Sequence, residues 1–117
     1  MKRILLATAF AALVAAPAHA QRSGTYVVEG VSPAGERYEG ALQLQATGPQ
    51  TWRLVWTISG STTTGVAISA GNTLVVGYTV EGLPGAGSYE VQTDGRLVGR
   101  WTQGLQGGVG TETLTPR

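Results

Sequence analysis

The chain has 117 residues, enough for one domain, with eight basic and seven acidic residues and no cysteine. So few basic residues, balanced by acids, leave no basic patch to drive binding to nucleic acid. The missing cysteines exclude a disulfide framework and thiolate chemistry.

The first twenty residues stand apart. Lys2 and Arg3 form a basic start, a largely apolar run follows from Ile4 to Ala16, and Ala18-His19-Ala20 is a small-x-small cleavage signal. This order predicts a secretory leader cut after Ala20, and hence a periplasmic or secreted protein. The apolar run is too short to span a bilayer comfortably. Cleavage would remove the only Lys, Lys2, and the only His, His19. Six arginines would then face seven acids, a net charge of about −1.

Residues 21–117 form the second predicted unit, a single β domain. No helical period survives there; short apolar–polar alternations are broken by Gly, Pro, Asn and Asp. Eight strands are predicted: Gly24–Gly30, Arg37–Ala46, Thr51–Ser59, Thr62–Ser69, Asn72–Val80, Ser88–Gln92, Arg96–Thr102 and Gly108–Leu114. Pro33-Ala34-Gly35 and Gly48-Pro49 form loops, Gly60 a tight reversal, and Gly71-Asn72 a turn tolerant of positive φ. Asp94-Gly95 suits a two-residue type I′ hairpin. Glu81 to Gly87 is expected to be a longer, looser connection.

Connections this short demand antiparallel neighbours, because parallel crossovers need a dozen residues or more. The expected fold is therefore an all-β, eight-stranded, antiparallel up-and-down barrel. A two-sheet sandwich would need long crossings that the chain does not offer. By parity one face carries every Trp and Tyr, with Val28, Leu42, Leu44, Leu54, Ile58, Val66, Ile68, Leu74, Val76, Val80, Val91, Leu97 and Leu114. The other carries Thr, Gln, Arg and Glu, so the apolar face is placed inside. An outer-membrane barrel would reverse this assignment. Strands of eight residues, covering about 20 Å, fall short of its ~25 Å apolar band. The end, Thr115-Pro116-Arg117, also lacks that class's terminal aromatic.

With no His, Cys or Lys after residue 20, nucleophilic triads, Schiff bases and most transition-metal sites have no residues to use. Asp94 is the only Asp and sits in a turn, so a calcium loop is also missing. The Gly-rich stretch from Gly104 to Gly110 lacks the Lys of a phosphate loop. The expectation is a non-enzymatic binding protein with no cofactor and no metal. Among the six Glu, only Glu112 points inward, between Gly110 and Leu114. A buried carboxylate must find donors or take up a proton, and the inner Trp and Tyr supply donors. Gly40, Gly99 and Gly110 share the inner face and leave room for a ring or for a ligand.

Two resemblances accompany this pattern. Gly24-Thr25-Tyr26 followed by an eight-strand meander resembles avidin and lipocalin architecture, with no binding motif in common. The series YEGALQL, WRLVWTISG, GNTLVVGY, YEVQTDGRLVGRWT and GTETL resembles small exported proteobacterial proteins, some labelled "fibronectin-binding". That second resemblance implies an envelope or extracellular protein as an alternative partner. The leading expectation is a small apolar or aromatic ligand at one barrel mouth. Its walls would be Tyr38, Trp52, Trp56, Tyr78 and Trp101, its polar point Glu112, and its rim the Glu81–Gly87 loop. The competing expectation is an interaction module that uses the polar exterior or a free strand edge.

Overall fold

Period-two patterning along residues 22–117, the part that the computed structural model describes, yields eight strands and no helix. The expected leader, residues 1–20, lies outside the described residues. The strands are β1 (Gly24–Val31), β2 (Arg37–Ala46), β3 (Thr51–Ile58), β4 (Ser61–Ala70), β5 (Thr73–Val80), β6 (Leu83–Val91), β7 (Leu97–Gln103) and β8 (Gly110–Pro116). Each pairs antiparallel with its neighbour in sequence, and β1 also pairs with β8. The sheet is thus a closed barrel rather than a sandwich. A closed ring presents no free strand edge, so the edge-pairing route to a partner is removed.

Apolar residues fill the interior. Val28, Leu42, Leu54, Leu74, Leu97 and Leu114 are completely buried. Outward positions within the strands carry Glu29, Glu39, Gln43, Arg53 and Arg100, which puts charge where a lipid-facing barrel has its apolar band. The end that carries Arg22 and Arg117, the first and last described residues, is packed with Tyr26, Leu44, Trp52, Leu74, Val91 and Leu97. There the Tyr26 hydroxyl donates to the Arg22 carbonyl at 2.6 Å and ties the entering chain across the floor. The opposite end, where β1–β2, β3–β4, β5–β6 and β7–β8 are joined, is the mouth.

Three expectations about the chain path are corrected. Glu81–Gly87 is not a loose loop. Glu81 and Gly82, at φ 51° and 83°, make a two-residue turn that pairs Val80 with Leu83. From Leu83 the chain is already β6, so no seven-residue rim exists. Asp94-Gly95 is not a two-residue turn: only Gly95 has positive φ. Gln92 N–H donates to the Arg96 carbonyl and Gly95 N–H to the Gln92 carbonyl, which closes a three-residue loop.

The third correction concerns β4. Val66 and Ile68 face outward, 67% and 51% exposed, and Gly65 and Ala67 face inward. The turn at Ser59-Gly60 (φ 51° and 81°) pairs Ile58 with Ser61. That register sets Trp56 opposite Thr63, Leu54 opposite Gly65 and Trp52 opposite Ala67. Directly paired residues share a face, so the small residues go inside with the indoles. Two large Trp side chains leave no interior volume for Val66 and Ile68.

Candidate functional site

At the mouth the interior changes from aliphatic to aromatic. A cavity of about 260 Å³ opens there, walled by Tyr38, Trp56, Tyr78 and Trp101, with Tyr89 and Glu112 deeper. Ser32, Ile58, Ser61, Thr63, Val80 and Gln103 complete it. The volume lies just below the ~300–1,000 Å³ usual for small-molecule sites, room for a small ligand only.

Glycines position the rings. Tyr38 pairs with Gly30, Tyr78 with Gly85, Tyr89 with Gly99 and Trp101 with Gly110. In each pair the ring lies over the glycine, and a Cβ added there would run into it. A strand position without a side chain lets the cross-strand ring lie flat across the sheet. Glu112 pairs with Gly30 on one side and Gly99 on the other. Tyr38 therefore reaches Glu112 over Gly30, and Tyr89 reaches it over Gly99.

The result is a carboxylate held by three donors from three strands. The Tyr89 hydroxyl donates to Glu112 Oε1 at 2.5 Å, Trp56 Nε1 to the same oxygen at 3.3 Å, and the Tyr38 hydroxyl to Oε2 at 2.9 Å. Glu112 is 5% exposed. Burial pushes its carboxyl above the usual Glu range, and the bonds from Tyr89, Tyr38 and Trp56 pull the other way without cancelling it. Burial, reinforced by the neighbouring carboxylate, drives the Tyr38 and Tyr89 phenols up and holds Tyr78 at about 12. All three remain protonated donors at any ordinary pH. Tyr78 turns its hydroxyl to the Thr102 carbonyl at 2.7 Å, and Trp101 Nε1 donates to the Thr111 carbonyl at 3.4 Å. The rings meet in two pairs. Tyr38 and Trp101 are edge-to-face, with centroids 6.1 Å apart, and Trp56 and Tyr78 are tilted at 5.5 Å.

Five of the six residues expected at the site come together here: Tyr38, Trp56, Tyr78, Trp101 and Glu112. Trp52 does not. It faces inward but near the start of β3, at the packed end, where its Nε1 donates to Ser69 Oγ at 2.8 Å. Parity tells inside from outside and is blind to depth along the barrel axis. Tyr89, which bonds Glu112 at the base of the cavity, was not among the residues expected at the site. Its signal was present in its inward parity and in the glycine opposite it. The expected rim is replaced by tight turns and by the Gly104–Val109 connection, whose Leu105 is among the most exposed apolar residues. No group of acidic or sulfur residues suited to a metal occurs among the described residues.

No protein-family model matches the chain, and no curated protein sequence does. Solved structures do. A redesigned β-barrel, b11L5F_LGL, is similar with a TM-score of 0.69 at 18% identity, over 81% of this chain and 90% of that one. A second, mFAP1 bound to DFHBI, has a TM-score of 0.67 at 23% identity, over 80% of this chain and 93% of that one. A de novo designed fluorescence-activating β-barrel has a TM-score of 0.61 at 18% identity, over 86% of this chain and 97% of that one. At these identities the likeness is one of fold: the chain shares the β-barrel architecture of these proteins.

Proposed function

We propose that this is an exported, non-enzymatic binding protein that takes a small aromatic molecule into the mouth of its barrel. The carrying observation is the cavity walled by Tyr38, Trp56, Tyr78 and Trp101 with one hydrogen-bonded carboxylate beneath them. Apolar walls with a few fixed polar groups are the usual composition of a small-molecule site. The packed far end supports the same reading, because the core residues there fill the barrel below the cavity. That barrels of this fold have been solved with DFHBI bound supports reading the architecture as a frame able to hold a small molecule.

Titration with small aromatic compounds, followed by intrinsic Trp emission and melting temperature, tests the site. Trp56 and Trp101 line the cavity, so occupancy changes their emission. A ligand selective for the native state also raises apparent stability. A broad set of compounds that moves neither signal refutes the reading. Export rests on the leader pattern of residues 1–20, and N-terminal sequencing of native protein tests it. A start near Gln21 is expected, and an intact Met1 on cytoplasmic material refutes it.

The competing reading, an interaction module for an envelope or extracellular protein, draws on one surface. Val66, Ile68 and Val75 lie side by side on the outside of β4 and β5. With the strand edge gone, this patch is where such a partner would dock.

A further inference from the structure

We propose that the mouth cavity selects organic cations: an aromatic ring carrying an ammonium or amidinium group, with the ring among Tyr38, Trp56, Tyr78 and Trp101 and the charged group on Glu112. The inference rests on the mouth being a small-molecule site, and it names the chemical class of the ligand.

Hydrogen-bond bookkeeping leads to the cation. An ionised carboxylate accepts about four hydrogen bonds, two on each oxygen. Glu112 Oε1 already takes two, from Tyr89 and Trp56, and Oε2 takes one, from Tyr38. One acceptor place on Oε2 is left, and Glu112 is itself part of the cavity lining. A ligand donor completes the set.

Charge narrows the class further. The ionisable groups around the cavity are Glu112 and the phenols of Tyr38, Tyr78 and Tyr89, with no Arg among them. Glu112 also makes no salt bridge among the described residues, so the carboxylate is buried without a paired counter-charge. Neutral donors stabilise it, yet burial still dominates its titration. A cationic ligand would provide what the protein lacks, and an anionic one would meet a desolvated negative charge. The walls agree, since Trp and Tyr faces attract a cation within about 6 Å of their centroids. Two indoles and two phenols surround the entrance, and their mutual packing holds them in place. Tyr78 and Trp101 send their polar atoms to backbone carbonyls, which leaves ring surface facing the space.

The test uses three compounds with one ring and different heads: 1-naphthylmethylammonium, 1-naphthylmethanol and 1-naphthoate. Calorimetric titration of the folded chain at neutral pH should rank the ammonium about tenfold or more above the alcohol, the margin expected when a hydrogen bond gains full charge assistance. The carboxylate should be weakest. Glu112→Gln should erase the ammonium's advantage over the alcohol. The unmodified protein supplies a second readout that needs no variant. The groups facing Glu112 in the mouth are Tyr38 on β2, Trp56 on β3, Tyr78 on β5 and Tyr89 on β6, none of which titrates in acid. Glu29 on β1 and Arg37 and Glu39 on β2 line a second pocket that Glu112 also borders. Lowering the pH therefore protonates Glu112 alone among the groups lining the mouth, and the ammonium's advantage over the alcohol should fall. Equal binding of ammonium and alcohol, or an advantage unmoved by acid, overturns the cation assignment and leaves the mouth site standing. Failure of all three compounds to bind overturns both.

Discussion

Replacing Glu112 with alanine removes the acceptor shared by Tyr38, Tyr89 and Trp56. Tyr89 and Trp56 are 2% and 6% exposed, so little water reaches the two stranded donors, whereas the half-buried Tyr38 can be rehydrated from the mouth. A buried orphan costs about 1–3 kcal/mol. Removing a buried carboxylate gives some of this back, so the net loss is set at about 1–3 kcal/mol for the whole substitution. In a domain of about 100 residues each kcal/mol lowers the melting temperature by ~4–8 °C. Glu112→Gln keeps the shape without the charge and separates the two effects. Burial raises the folded-state pKa of Glu112 above its unfolded value. The wild type therefore holds the associated stability in full below the unfolded Glu range and loses it as pH rises through the folded pKa. The Gln variant has no such group. Its stability relative to wild type should thus increase from acid to neutral pH. Thermal unfolding followed by circular dichroism across that range reads both. An Ala variant as stable as wild type would mean that water has satisfied the donors and that the network anchors nothing. A wild type that gains on the Gln variant with rising pH would show that the donors, and not burial, govern Glu112.

Two further substitutions probe the frame around the site. Gly30→Ala sets a methyl against the Tyr38 ring and hydroxyl and should displace Tyr38 from Glu112. The expected loss is about 1–3 kcal/mol, as for other overpacked sites, with the naphthyl-ammonium affinity reduced as well; unchanged stability and affinity would show that Tyr38 has room to move. Glu81 holds φ 51° in a two-residue turn before Gly82, and Asn tolerates that backbone better. Glu81→Asn should raise the melting temperature by a few degrees, about 0.5–1 kcal/mol, and a drop would place the turn's constraint elsewhere.

The eight-stranded meander was legible because most strands alternate strictly and most breaks contain a turn-forming pair. The part of β6 from Leu83 to Gly87 was not legible, because a strand is recognised by the side chains it buries. Gly85 and Gly87 bury none; the space above Gly85 belongs to the ring of Tyr78. In β4, pattern and packing disagreed. Val66 and Ile68 are the more apolar choice for the interior, but the neighbouring Trp52 and Trp56 already occupy it, and only Gly65 and Ala67 fit. Counting pairs outward from Ser59-Gly60 would have given the correct face. Glu112 was legible as an inward carboxylate. Its donors were not assignable, because Tyr38 and Tyr89 lie two strands away and reach it only across Gly30 and Gly99.

Ring closure also sets when, during folding, the site comes into being. Seven of the strand pairings join sequence neighbours and form as hairpins, at low loop-closure entropy. The eighth, between β1 and β8, joins the two ends of the domain and is the slow, non-local step. Glu112 rides on β8, and its donors come from β2, β3 and β6. The cavity therefore has its floor only once that last seam is shut. A bound molecule bridging Glu112 to the aromatic wall would act as a clasp on the seam. Occupancy should slow amide hydrogen exchange along β1 and β8 more than along the interior hairpins, so that the ligand governs the lifetime of the closed barrel rather than the formation of its parts.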